Sequence, residues 1–319
     1  MTALLQRLGD LESALERERI DPAPFAAALA RIRAHLETYA KLETELLGHA
    51  TVTYPRHLVE GAEVESLEDL ADRERRRLEL DRHETGLMEV LDREGLKVYR
   101  VHFPAGAGLE GLFLFDPDIG PVLVVDAGLP RRDADLVFAR LYGIFLLDTD
   151  PYRIRLARPA GADTDRQAER GFEFAAALLV GRRPLLAYLT ALGWSEGQPV
   201  TSGAVEQMAV YFDVRPRTIL ARILTLGLPV AGLAESLQAE GPAGAAGSGG
   251  PPAPAQPAAP ETVLPERFVR LALEAHARGA LSLARLARAL ETDEVGAQRL
   301  AARFRLEDAA SPGTGDGAS

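Results

Sequence analysis

Two hydrophobic rhythms divide the chain. Leu4, Leu8, Leu11 and Leu15 recur at spacings of four and three, and Phe25, Leu29, Ile32, Leu36 and Tyr39 repeat the pattern, so each run predicts an amphipathic helix. Asp21-Pro22-Ala23-Pro24 separates them, because proline lacks the donor a helix interior needs but suits a first turn. Residues 1–49 therefore predict a helical hairpin arm, which either packs on its own domain or meets a partner. The helical pattern from Leu67 to Glu84 carries Arg73-Glu74-Arg75-Arg76-Arg77, a mixed charge run that predicts a solvated face.

Beyond Gly86 the period shortens. After a helix from Leu87 to Arg93, the Val-, Leu- and Phe-rich runs Leu96 to Phe103, Gly111 to Asp116 and Val122 to Asp126 predict strands. Asp116-Pro117-Asp118-Ile119-Gly120 is a turn that makes the last two antiparallel neighbours. Helical periodicity returns over 131–147 and 165–180, then in a helical pair from Ala204 to Leu226. From Gly241 to Pro260 every residue is Gly, Ala or Pro except Ser248 and Gln256, a composition that cannot build a core. Residues 241–261 thus predict a linker able to hold the last unit at a distance. That unit, 262–307, is helical, with Phe268, Leu271, Leu273, Leu281, Leu283, Leu286 and Leu290 as its core, and 308–319 predicts a disordered tail. The fold class is α+β: mainly helical, with a small antiparallel sheet, a helical N-terminal arm and a C-terminal helical domain.

Composition removes whole function classes. With no cysteine among 319 residues, disulfides, thiolate metal sites and a cysteine nucleophile are excluded. No apolar run is long enough to span a bilayer and the N-terminus is charged rather than signal-like, so the expectation is a cytoplasmic protein without membrane contact. A net charge of -11 opposes broad attraction to nucleic acid, although a concentrated basic face is still able to act. The six histidines (35, 49, 57, 83, 102 and 276) include no pair three or four residues apart, so no helix offers two to one metal ion. His83-Glu84 reads as helix surface. Asp148-Thr149-Asp150 and Asp163-Thr164-Asp165 lack the glycine and distal glutamate of a calcium loop and read as turns and caps.

The order helix, Gly95 to Phe103, GLFLFD, PVLVVDAGLPRRDAD, LVFARLYGIFLL and AERGFEFAAALLVGRR resembles the ImmA/IrrE family of metallopeptidase-like proteins over roughly residues 86 to 230. The resemblance implies a zincin-like core within residues 50–195. Active members carry a His-Glu-x-x-His motif, two histidines on one helix face gripping a metal while the glutamate activates water. Here that stretch reads Arg140-Leu141-Tyr142-Gly143-Ile144. Arg140 stays protonated, Leu141 cannot act as a base and Ile144 has no lone pair to give. The family's third ligand is a glutamate, and the acidic positions of its pattern fall here on Ala168 and Arg170; Glu169, between them, points about 100 degrees away on a helix. The expectation is therefore no catalytic, metal or cofactor residue, and no cofactor.

Residues 196–240 suggest a helix-turn-helix-like segment. Val205, Met208 and Phe212 share one face of the first helix; in the second, Ile219, Leu220, Ile223 and Leu224 form a buried stripe that leaves Arg215, Thr218, Arg222 and Thr225 opposite. Arg215, Thr218 and Arg222 are thus candidate contacts for DNA or a partner protein. The resemblance implies an inactive regulatory protein in transcriptional or stress control, acting on another protein, a regulator or repressor, or on an effector. A DNA-binding regulator and a zinc peptidase with atypical ligands are the alternatives, and a homo-oligomer is left open.

Overall fold

Apolar residues on consecutive positions of a strand point to opposite faces, so an uninterrupted apolar run needs cover on both sides. The computed structural model describes residues 2–49, 66–80, 86–147, 150, 152–159, 166–232 and 262–310. The expected linker, the tail beyond 310, His57, His83-Glu84, Asp148-Thr149 and Asp163-Thr164-Asp165 lie outside the described residues, as do the side chains of Leu4 and Leu8.

In chain order the elements are α1 (Thr2–Arg17), a single 3-10 turn (Ala23–Phe25), α2 (Ala26–Leu47), α3 (Leu67–Arg77), α4 (Leu87–Arg93), β1 (Lys97–Val101), β2 (Gly111–Asp116), β3 (Gly120–Asp126), α5 (Arg131–Leu147), β4 (Arg155–Ala157), α6 (Arg166–Leu179), α7 (Arg182–Ala191), α8 (Ser202–Tyr211), α9 (Pro216–Thr225), β5 (Thr262–Val263), α10 (Glu266–Ala277), α11 (Leu283–Ala289) and α12 (Glu294–Ala310). The fold is α+β. Among the described residues no single helix is long and apolar enough to cross a membrane.

The strands line up as β4-β2-β3-β1-β5. The expected hairpin forms: Asp116 Oδ1 accepts from the backbone N–H of Asp118 (2.8 Å) and Ile119 (3.1 Å), and Gly120 takes φ 94°, so β2 and β3 run antiparallel. The sheet as a whole is mixed, not antiparallel. β3 inserts between β2 and β1 and pairs parallel to β1, from Lys97 opposite Val122 to Val101 opposite Asp126. The physical reason lies at the strand edges: β3 is buried, and between β2 and β1 its backbone N–H and C=O groups find partners on both sides.

One face of the sheet, carrying Tyr99, Val101, Leu112, Leu114, Val122 and Val124, packs under α1, α2 and the C-terminal helices. The other, carrying Val98, Phe113, Phe115, Leu123 and Val125, packs under α3 to α6. A third cluster joins α7, α8 and α9. The last unit is not held at a distance, contrary to expectation. Its β5 pairs with β1, and Phe268 lies 5.5 Å from the Tyr39 ring and 5.6 Å from that of His35. The apolar stripe of α10 would otherwise stay in water; α2 supplies its cover.

A buried ionic cluster crosses this first interface. Lys97 Nζ lies 3.2 Å from Glu43 Oε2 with both side chains 0% exposed, and Arg267 Nη2 donates to Glu43 Oε1 at 2.9 Å. The Arg267 backbone N–H donates to Asp92 Oδ2 at 2.6 Å. Burial pushes Lys97 down to about 8 against the pull of Glu43, and pushes Asp92 up to about 6.

Candidate functional site

Helices α5 and α6 approach closely because glycine leaves room. A Cβ on Gly143 would lie 2.5 Å from Phe174 Cδ1, and one on Gly171 would lie 3.6 Å from the Arg140 carbonyl oxygen and 3.7 Å from Ile144 Cγ1. Leu141 lies on the sheet side, against the place where a Gly111 Cβ would sit. Arg140, Leu141 and Ile144 are thus all inside, and none of the three side chains offers a lone pair to a metal.

In the buried surroundings of Arg140 there is an ion pair rather than a ligand set. Its Nη1 donates to the Arg158 carbonyl at 2.9 Å and to Glu110 Oε2 at 3.3 Å. Burial raises Glu110, while Arg140 opposes that shift most strongly, followed by Arg217 and, after Asp133 acting the other way, Arg215. Arg215 holds Asp133 with two bonds of 2.6 Å, a fork on a carboxylate. Glu169 and Arg170 are exposed. Among the described residues no group of three or more His, Asp or Glu is placed to hold a metal ion. The side chains of Arg140, Leu141 and Ile144 do not fit a zinc ion.

The charge run of α3 departs from its expected solvated role. Arg73 and Arg76 are exposed, but Glu74 and Arg75 are buried. Arg75 donates to the Leu178 carbonyl at the end of α6, and a Cβ on Gly181 would meet its guanidinium at 2.5 Å. Tyr142 Oη donates to Glu74 Oε2 at 2.6 Å while Arg77 donates to both, at 2.7 Å to Glu74 and 2.8 Å to Tyr142. Burial lifts the Tyr142 phenol well above its ordinary range, so it remains a neutral donor.

Half of the face expected for recognition on α9 is turned inward, while Thr225 is exposed. Thr218 is fully buried and Arg222 is 1% exposed, whereas Leu224, expected inside, is 56% exposed. Arg222 Nε donates to the Val180 carbonyl at 2.8 Å and its Nη2 pairs with Glu68 in the first turn of α3. Arg222 thus ties the end of α6 to the start of α3. Of the three candidates only Arg215 is partly open, and its fork is occupied by Asp133. Polar residues default to the surface in a sequence reading; here an arginine stem packs in the core because its head finds a carbonyl and a carboxylate.

The same unit exposes an apolar group that the sequence did not mark. Val210 is 83% and Tyr211 62% exposed, and the Tyr211 ring stacks on Tyr188 at 4.3 Å. No model of a known protein family matches the chain, and no curated protein matches it either.

Proposed function

We propose that this chain is a catalytically inactive relative of the ImmA/IrrE peptidases, with a zincin-like core, that regulates transcription or a stress response by binding another protein or an effector. The observation that carries the reading is Arg140: at the position where an active member would have its first histidine stands a buried cation committed to Glu110 and the Arg158 carbonyl. The close α5–α6 packing at Gly143 supports a framework kept without its chemistry. A DNA-binding role through Arg215, Thr218 and Arg222 gains no support from their placement. Elemental analysis by mass spectrometry on the full chain, purified without added metal or chelator, tests the proposal. Far less than one transition-metal ion per chain is expected. About one per chain, with chelator-sensitive cleavage of a protein, would overturn it.

A further inference from the structure

A groove of about 540 Å³ runs between α2 and residues 280–291. Its α2 wall extends from Ala30 to Glu45, about 22 Å of helix. A wall of this length matches roughly six or seven residues of extended chain. Arg31 and Lys41 line one wall and Arg285 and Arg288 the other. Among the described residues that line it, the carboxylates are those of Glu45 and Glu291, so four cations face two anions in a chain whose net charge is -11. Burial pushes His35 down, which keeps it out of that balance at neutral pH. Small and apolar side chains, Ala30, Ala34, Leu42, Leu281 and Ala289, form the floor.

The two walls are fixed relative to each other. His35 and Glu291 meet across them at 3.2 Å. Glu291 does this from a backbone φ of 49°, a left-handed position where glycine or asparagine is the usual choice after a helix. Arg285 and Arg288 are three residues apart on α11 and both exposed, so they share an edge and present their forks to solvent.

We propose that this groove binds an acidic peptide segment of a partner protein, its carboxylates meeting Arg31, Lys41, Arg285 and Arg288 and its backbone lying over the alanine floor. Guanidinium forks take carboxylates in pairs, and charge of this sign selects against basic segments. A long, open channel suits an extended chain, whereas a compact metabolite is usually enclosed on most of its surface. The site is independent of any kinship with peptidases.

The test is fluorescence anisotropy of the full chain with a fluorescein-labelled peptide of four Glu-Ala repeats. Saturable binding at low salt is expected, with affinity falling as salt rises and no binding of the matching Lys-Ala peptide. The double variant R285A/R288A should bind about tenfold more weakly or worse, and Lys41→Ala, on the opposite wall, should weaken binding as well. All three side chains are exposed, so circular dichroism should match the wild type. Absence of binding, or binding that neither variant alters, overturns the proposal. So does arginine-dependent binding of ATP without binding of the peptide, which would make the groove a small-anion site.

Discussion

The two faces of the sheet each bury charge, but they do so differently. Under α2 and α10, Glu43 and Lys97 are sealed from water and, with Arg267, join three distant parts of the chain. Under α5, Arg140 is buried but its partner Glu110 stays 20% exposed, and Arg215 on Asp133 is 30% exposed. In the first cluster Glu43 and Lys97 cannot be rehydrated in place, although Arg267 at its edge is 22% exposed. The second borders water, so a lost partner there can be replaced by solvent.

This contrast is broken most severely by Glu43→Ala, which leaves Lys97 without its carboxylate and Arg267 half-paired. A loss of about 3–5 kcal/mol is expected in urea denaturation. Replacing Glu43 by Leu and Lys97 by Met together should cost less, because the two fully buried charges go together and only the partly exposed Arg267 loses a partner.

Lys97 also gives the cluster a pH signature. Its ordinary value is 10.5 and its folded value about 8, so between these the unfolded chain holds a proton that the folded chain has released. Stability contributed by this group therefore rises with pH across that window, by up to about 1.4 kcal/mol per unit. The difference in stability between Lys97→Met and wild type, followed from neutral pH to above 10, should show that slope; a flat difference would mean the lysine is solvated.

Arg140→Ala should cost about 1–2 kcal/mol, less than Glu43→Ala, because Glu110 keeps some access to water. If it matched the Glu43 loss, the two clusters would be alike after all. Arg33→Ala sets the lower end of the scale. Its pair with Glu37, four residues on along α2, is open to solvent, and its removal should change stability by no more than about 0.5 kcal/mol.

Local periodicity made the strands and helices legible: Phe113 and Phe115 do face opposite to Leu112 and Leu114, and Val205 and Met208 are buried as their spacing indicated. Pairings remote in sequence were not legible. Nothing in Lys97 to Val101 announces that β3, rather than β2, lies beside it, and the three-residue β4 is too short to carry a pattern. Arg222 and Thr218 read as surface because polarity was the only signal, and the carbonyl and carboxylate that admit Arg222 belong to other helices. The basic groove was invisible for the same reason. His35 and Glu291, which join its walls, are 256 positions apart.

That separation bears on the order in which the chain acquires its core. The face of the sheet under α3 to α6 can largely close once residue 179 has been made, since all of its buried residues lie within that length and only Val263 of β5 joins its margin later. The opposite face has α1 and α2 early but receives Phe268, Leu271 and Ala272 only from α10. At ordinary translation speeds the interval from β3 to α10 is on the order of ten seconds. Throughout it, His35 and Tyr39 lack the Phe268 ring that later packs against them, and a nascent chain stalled before α10 would present that uncovered surface to chaperones.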